Sequence, residues 1–482
     1  MQNAIQTVTS VILACAAIAC SGNPNSTMIA QPTVQQSSKN LPEQHFYQPP
    51  EVLSETRNLV TDYGVNNLDQ LDDSALLQAA INDLSALPAG GKLIIPAGDY
   101  YLLEIKLKSN VQLEIQQGAT IYPTFRNDGR NHRIFKFGSN NSPAIENVSV
   151  IGTGDGFRVN LAATDDNKIA VFDLGNINNF KLANFEIQDN RTIFASILVS
   201  LAKYKGNYGW PTNGVIQDAR NLNAFIGYGL IQTYAADNIL FDNVYSEGGV
   251  ALRLETDNLM MKKTGKGGIR NIYARNVGCE NGLAAVMFSP HFMDNGAVHV
   301  DGVHAKGCSF AVRIDQGYVE LFSAVGQSKA SWITEVETLI GQGSISHIYK
   351  RGNGDTRWAA RIKGQFGDVV HAKTGLKPGS YQSSTVTGIT VEAGDKAHLK
   401  QEFLRYLPCA DLKKVCRPGA TGSEYHGPAV AAVWDNSDGT MGSYQVDITD
   451  VTTLGFKSQQ PQSVTLSTTP MCPNFSLPKA CH

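Results

Sequence analysis

The chain has 482 residues, 42% hydrophobic and 17% charged, and its 40 basic and 43 acidic side chains leave a net charge of −3. That apolar content is enough to bury a large core and excludes wholesale disorder, while the near-neutral balance excludes a nucleic-acid binder built on excess Lys and Arg. The 45 glycines and the low charged fraction favour turns and strands over helical bundles.

Val8 to Ala19 is a short apolar run, too short to cross a bilayer as a mature helix, and reads as the apolar part of a secretory signal. Cys20 follows Ala17-Ile18-Ala19 and precedes a polar spacer from Ser21 to Ser26, a start that resembles a bacterial lipoprotein, with Ala17 where Leu is usual. A signal peptide over 1–20 with lipid on Cys20, or an ordinary cleaved signal, both export the chain. It is then either secreted or anchored to the outer membrane. A polar linker follows over 21–50. Asp72 to Ile81 carries apolar residues at helical spacing behind Asp73 or Ser74 as N-cap, and predicts an early helix.

One seven-residue phrase then recurs: Asn, apolar, any, apolar, any, Asn, apolar. It occupies Asn179 to Phe185, Asn238 to Val244 and Asn271 to Val277, with looser copies at Ala297 to Val303 and Gln445 to Val451. Alternation inside the phrase predicts a short strand with one buried face, and its final Asn, Asp or Gly supplies a turn. Second strands lie between the phrases, at Gly229 to Gln232, Ala251 to Glu255, Ala284 to Phe288 and Ala311 to Asp315. Repeating strands with no amphipathic helix between them indicate a parallel β-helix over 51–322, its open N-terminal end covered by the early helix. Two insertions interrupt it. A basic one over 323–384 clusters Lys350, Arg351, Arg357, Arg361 and Lys363 around Asp355, and one over 394–426 holds Cys409 and Cys416 and predicts partial helix from Lys396 to Leu407. A coil segment over 385–393 separates them, and last coils and a tail fill 427–482.

Beyond the leader stand Cys279, Cys308, Cys409, Cys416, Cys472 and Cys481, an even number compatible with disulfides in an exported protein. The short spacings favour Cys409 with Cys416 and Cys472 with Cys481, leaving Cys279 for Cys308. No CxxC knuckle supports zinc.

Leu252-Arg253-Leu254-Glu255-Thr256-Asp257 is the phrase richest in chemistry. On a strand Leu252 and Leu254 face the core, and Arg253, Glu255 and Asp257 line up outside, with alternate residues roughly 6.6 Å apart. Carboxyls separated by roughly 6.5–9.5 Å leave room for the water an inverting glycosidase uses. An ordinary solvated strand face also carries such pairs. The neighbouring coils add Gln232, His291, Arg313 and Glu320 to the same wall, a set fit for cleaving sugars. Closeness of Asp257 is expected to raise the pKa of Glu255 by like-charge repulsion. Between Val250 and Arg275 six basic residues, Lys262 among them, accompany only the acids Glu255 and Asp257.

Four runs carry a family resemblance: Asn221–Tyr234 (NLNAFIGYGLIQTY), Ser246–Asn258 (SEGGVALRLETDN), Gly282–Met293 (GLAAVMFSPHFM) and Arg351–Arg361 (RGNGDTRWAAR). They closely resemble the iota-carrageenases, glycoside hydrolase family 82, over about residues 60–433. The resemblance implies an all-β, right-handed parallel β-helix that hydrolyses β-1,4 linkages of iota-carrageenan, a sulfated galactan, with inversion. It implies Glu255 as general acid, Asp257 as general base and Gln232 as the residue positioning water beside a chloride. His291 and Glu320 would support the centre, while Arg253, Arg313 and Arg357 grip sulfates. The insertions would cover the cleft. No cofactor is implied for the chemistry; a structural calcium or sodium ion and a monomeric state are. A polysaccharide lyase, using an Arg or Lys base with calcium, and a non-catalytic polysaccharide-binding β-helix are the alternatives.

Overall fold

The computed structural model describes residues 41–482 except 125, 127, 351–355, 420–423, 438–443, 459, 474–475, 477–479 and 482. The signal peptide, Cys20, most of the linker, Arg351 and Asp355 lie outside the described residues.

The strands stack in parallel, each coil on the last. Gly91–Ile95 pairs with Val111–Ile115, and that strand with Ile145–Gly152. The ladder continues through Ile177–Gln188, Thr212–Thr233, Ala235–Glu255, Gly268–Glu280, Val298–Lys306 and Ser384–Glu392. This is the parallel β-helix expected from the repeat. In each phrase both asparagines, not only the last, take left-handed backbone: φ is 56° and 60° at Asn179 and Asn184, 56° and 51° at Asn238 and Asn243, 50° and 54° at Asn271 and Asn276. Asn tolerates this conformation better than other side-chain-bearing residues, so the chain turns a corner at each end of the phrase while pairing continues. Between the corners the apolar positions fall inward, and Phe180, Leu182, Ile239, Phe241, Ile272 and Ala274 are fully buried in one core.

The early helix spans Ser74–Ser85, and Leu77, Ala80, Ile81 and Leu84 join that core against the first coil. Asp73 precedes it, but its carboxylate accepts the Tyr101 N–H (3.1 Å), and Asp72 takes the Ser74 N–H (3.0 Å). Ahead of it, Glu43–His45 and the next residues lie along the outside of the coils. Phe46 and Tyr47 bury against Val215 and Leu240, Glu43 pairs with Lys181 at 2.8 Å, and the Asn238 amide donates to His45 O at 3.0 Å.

The first insertion has its own small core of Val319, Trp332, Val336, Ala360 and Val370. Its antiparallel sheet joins Glu320–Phe322, Trp358–Ile362 and Ile345–Lys350. Glu320 therefore belongs to the insertion rather than to the solenoid, and the boundary lies ahead of residue 323. The second insertion narrows one expectation: within Lys396–Leu407, Ala397–Lys400 is a strand, paired antiparallel with Glu424–Gly427, and the helical part is Gln401–Tyr406, a 3-10 helix, with a short α-helix following at Cys409–Leu412. The disulfides correct another. Cys279 pairs with Cys308, but the remaining bonds are Cys409–Cys472 and Cys416–Cys481. The reason is the path of the tail, which returns along the insertion: Cys481 N–H donates to Arg417 O and Met471 N–H to Arg405 O, both at 2.9 Å.

Candidate active site

Leu252 and Leu254 are fully buried, so alternation turns Arg253 and Glu255 outward. Gln232 and Met287 stand beside Arg253 in register, and Arg313 follows Met287. Gly229 allows this approach at the start of the Gln232 segment: at its φ of 139° a Cβ would lie 2.0 Å from Val250 O.

The strand Ala235–Glu255 ends at Glu255, and Asp257 sits in the link to the helix Leu259–Thr264 rather than on a continuing strand. Asn258 caps that helix by accepting the Met260 N–H at 2.8 Å, and Thr256 anchors the link through Pro290 O at 2.6 Å. Both carboxylates meet His291. Glu255 Oε1 lies 3.1 Å from His291 Nε2, and Asp257 Oδ2 lies 3.6 Å from Nδ1. His291 holds φ at 49°, a conformation costing a non-glycine residue on the order of 1 kcal/mol. Hydrogen bonds from the Tyr318 and Gly379 N–H groups to its carbonyl, at 2.7 and 2.9 Å, keep it there.

The second oxygen of Glu255 accepts from the Gln232 amide at 2.7 Å and meets Arg253 Nη2 at 2.6 Å. Burial pushes the Glu255 pKa up, but Arg253 and His291 more than offset it and hold the carboxyl well below its ordinary range. The repulsion expected from Asp257 is thus outweighed by the direct contacts that Arg253 and His291 make with this carboxylate. Asp257 is also held low: burial raises it, while His291 and Lys262 lower it further.

Of the other expected site residues, Glu320 is brought in through Lys262, whose ammonium lies 2.7 Å from Asp257 and 2.9 Å from Glu320. Arg313 is buried, bonded to Asp315 at 3.0 Å and set against the rings of Phe403 and Trp434. Beside it Lys400 is pushed down to about 8 by the Arg313 charge and by burial. Arg357 stacks on Phe322, 5.3 Å from the ring centre, within the first insertion. Sequence reasoning missed Tyr318 and Tyr349 and counted Lys262 and Arg361 only as surrounding charge. Tyr318 OH bonds His291 Nδ1, Tyr349 OH bonds Glu320 at 2.8 Å, and the Arg361 guanidinium lies 3.5 Å above the Tyr318 ring. The signal available for Lys262 was its place one turn into an Asn-capped helix directly behind Asp257.

Among the described residues, His398, Glu424 and His426 form a grouping of metal-ligand types. Arg191 contacts both Glu424 oxygens, at 3.0 and 2.8 Å, and the Gly249 N–H donates to His398 Nδ1 at 3.2 Å.

A carboxylate pair with buried cations on the outer wall of a parallel β-helix defines a polysaccharide-cleaving enzyme of the solenoid class. No family model matches the chain. It is 47% identical over 439 residues, 89% of each chain, to an iota-carrageenase of Zobellia galactanivorans, and 46% identical over 423 residues, 86% of each, to one of Alteromonas macleodii. A crystal structure of a GH82 iota-carrageenase from A. fortis, in the absence of chloride ions, superimposes with a TM-score of 0.88 at 42% identity, covering 92% of this chain and 96% of that one. An iota-carrageenase complexed to iota-carrageenan fragments gives 0.85 at 41% identity, covering 92% and 98%. The chain belongs to the iota-carrageenases, glycoside hydrolase family 82.

Proposed function

We propose that the protein is an endo-acting hydrolase of β-1,4 bonds in iota-carrageenan, and that it inverts configuration with Glu255 as acid and Asp257 as base. The observation that carries this reading is the bracketing of His291 by the two carboxylates. Contact with different nitrogens of one imidazole sets them on either side of it rather than against each other. That suits the roughly 6.5–9.5 Å of inverting enzymes better than the about 5–5.5 Å of retaining ones.

Asp257, kept ionised by Lys262 and His291, takes a proton from the attacking water. Glu255 must deliver a proton to the leaving oxygen, yet in the free protein Arg253 keeps it ionised. A sulfate ester entering beside Arg253 competes for the guanidinium, because sulfate is a permanent anion that Arg binds through paired N–H groups. As Arg253 turns to the sulfate, the buried Glu255 loses its nearest counter-charge and takes up a proton. One similar structure belongs to an enzyme whose name specifies galactose-4-sulfate and 3,6-anhydrogalactose-2-sulfate units, a substrate with a sulfate on each sugar. Arg313 and Lys400, crowded together next to Arg253, and Arg357 on the first insertion offer further sulfate contacts.

Chloride fits beside Gln232. Arg253 Nε is buried without a hydrogen-bond partner, an orphaned donor that a small anion would satisfy, and an anion held by Arg253 and Gln232 would fix the amide that faces the reaction. The three disulfides among the described residues suit an exported enzyme, with or without lipid at Cys20.

The test is reducing-end release from iota-, kappa- and lambda-carrageenan by wild type, Glu255→Gln and Asp257→Asn, with the product anomer followed by NMR. Loss on the order of 10²-fold or more is expected in each variant. Undiminished cleavage by either one removes that residue from its role, and retention of the anomeric configuration rejects inversion.

A further inference from the structure

Lys262 stands on the helix behind the catalytic link with its ammonium almost wholly enclosed: its side chain is 5% exposed. A buried ammonium needs close counter-charges, and Lys262 has Asp257 Oδ1 at 2.7 Å and Glu320 Oε2 at 2.9 Å, with the Phe292 ring centre at 4.9 Å. Glu320 is more deeply buried, at 2% side-chain exposure, and its other oxygen accepts from Tyr349 at 2.8 Å and meets Arg361 at 3.4 Å. Tyr349 and Arg361 belong to the first insertion, as does the strand bearing Glu320. A continuous line of charge therefore runs from the insertion's sheet through Glu320 and Lys262 to Asp257. Glu320 uses both oxygens within this line, and Lys262 has one anion on each side.

We infer that Lys262 is a positioning residue for hydrolysis, its ammonium fixing the Asp257 carboxylate against Glu320 so that the base is aligned only while the first insertion is seated on the solenoid. The inference rests on the reading of Asp257 as base. Without Lys262 the carboxylate retains His291 at 3.6 Å, faces Glu255 across the ring, and is free to swing about its link. Misplacing a catalytic group by about 1 Å lowers turnover on the order of 10²-fold. Substrate contacts are unaffected, because Lys262 is engaged by protein carboxylates on both sides.

The experiment compares full-length wild type, Lys262→Met, Lys262→Arg, Glu320→Gln, the double variant Lys262→Met/Glu320→Gln, and Asp257→Asn on iota-carrageenan across pH. Lys262→Met is expected to lower kcat about 100-fold with KM changed by no more than about twofold. Its acidic limb moves to higher pH, because Asp257 loses a cation and ionises later; the groups facing Asp257 are Lys262, His291 and Glu255, with Tyr318 and Tyr349 behind them. A cavity of about 340 Å³ bordered by Lys262 and Glu320 accommodates the longer Arg, so Lys262→Arg restores most of kcat and the original limb. The double variant removes the stranded Glu320 charge, recovers thermal stability, and still has the low kcat and displaced limb; it carries the comparison if Lys262→Met does not fold. Wild-type kcat and pH profile in Lys262→Met, or recovery of both in the double variant, would overturn the inference by showing a purely structural pair. Full activity in Asp257→Asn instead overturns the base assignment itself, whereas an inactive Asp257→Asn beside a wild-type-like Lys262→Met overturns the positioning role alone.

Discussion

Replacing Cys481 with Ser opens the bond to Cys416, which closes 65 residues of chain, and leaves Cys409–Cys472, closing 63, intact. Taken alone, a crosslink of that span restricts the unfolded chain by about 4 kcal/mol. The two bonds cross, however. With Cys409–Cys472 in place, the path from Cys416 to Cys481 shortens to a loop of roughly 16 residues, whose closure contributes about 3 kcal/mol. Cys481→Ser and Cys472→Ser are each expected to destabilise by about 3 kcal/mol, and the pair by about 7 kcal/mol, since the second loss releases the long loop. Urea unfolding midpoints of the two single variants and the double variant, with freed thiols alkylated, measure this. Bonds confined to the neighbours Cys409/Cys416 and Cys472/Cys481 would make the two substitutions hit one bond, so a double variant no less stable than either single one refutes the crossed pairing. Activity is expected to fall with stability, because the insertion stitched by these bonds presents His398 to Gly249, just ahead of the segment that carries Arg253 and Glu255.

Three further outcomes follow from the site and the coils. Arg253→Met removes the cation bonded to Glu255, so the Glu255 pKa rises; the alkaline limb of kcat/KM moves to higher pH, and KM for sulfated substrate increases, both read from pH-dependent kinetics. Asp257 and Glu320 have folded pKa values held below their ordinary ones: burial opposes this, His291 and Lys262 outweigh it at Asp257, and Lys262 does so at Glu320. Their contribution to stability is therefore full above roughly pH 4.5 and lost as pH falls through the depressed values, and Glu320→Gln flattens the acid side of a plot of unfolding midpoint against pH. Asn238→Ala forces Ala to a φ of 56° and removes the side-chain bonds to Asn213 and His45; a loss of about 1–3 kcal/mol in denaturant unfolding is expected.

The solenoid was legible because its determinant is local and repeated: apolar residues two apart set the buried face, and Asn sets the corners. Arg253 and Glu255 were legible for the same reason, since Leu252 and Leu254 fix which way their neighbours turn. Asp257 shows the limit, because alternation carries information only as far as the strand, and the strand ends two residues sooner. Lys262, Tyr349 and Arg361 reach the carboxylates from a helix and from an inserted sheet folded back over the coils, and Tyr318 reaches His291 from the loop leading into that sheet, placements that no periodicity encodes. In the stretch Lys396–Leu407, expected to be partly helical, Gln401–Tyr406 is a 3-10 helix, while Ala397–Lys400 pairs with Glu424–Gly427, a partner about 25 residues away that local spacing does not reveal.

The segment around Phe46 and Tyr47 has a consequence for how this solenoid comes apart. In a linear stack each repeat touches only its neighbours, so melting can begin at one end and spread coil by coil. Here one stretch of chain runs lengthwise across the stack. Tyr47 OH reaches Gln112, Glu43 holds Lys181, and Phe46 lies against Val215, Leu240 and, at 5.4 Å between ring centres, Tyr273. Those residues sit on strands of successive coils, from Val111–Ile115 to Gly268–Glu280. A splint of this kind ties non-adjacent layers to one another, so fraying among them is penalised together rather than one layer at a time. The coils it spans include those that carry Gln232 and Glu255, which places both side chains in the stretch least free to unravel piecemeal.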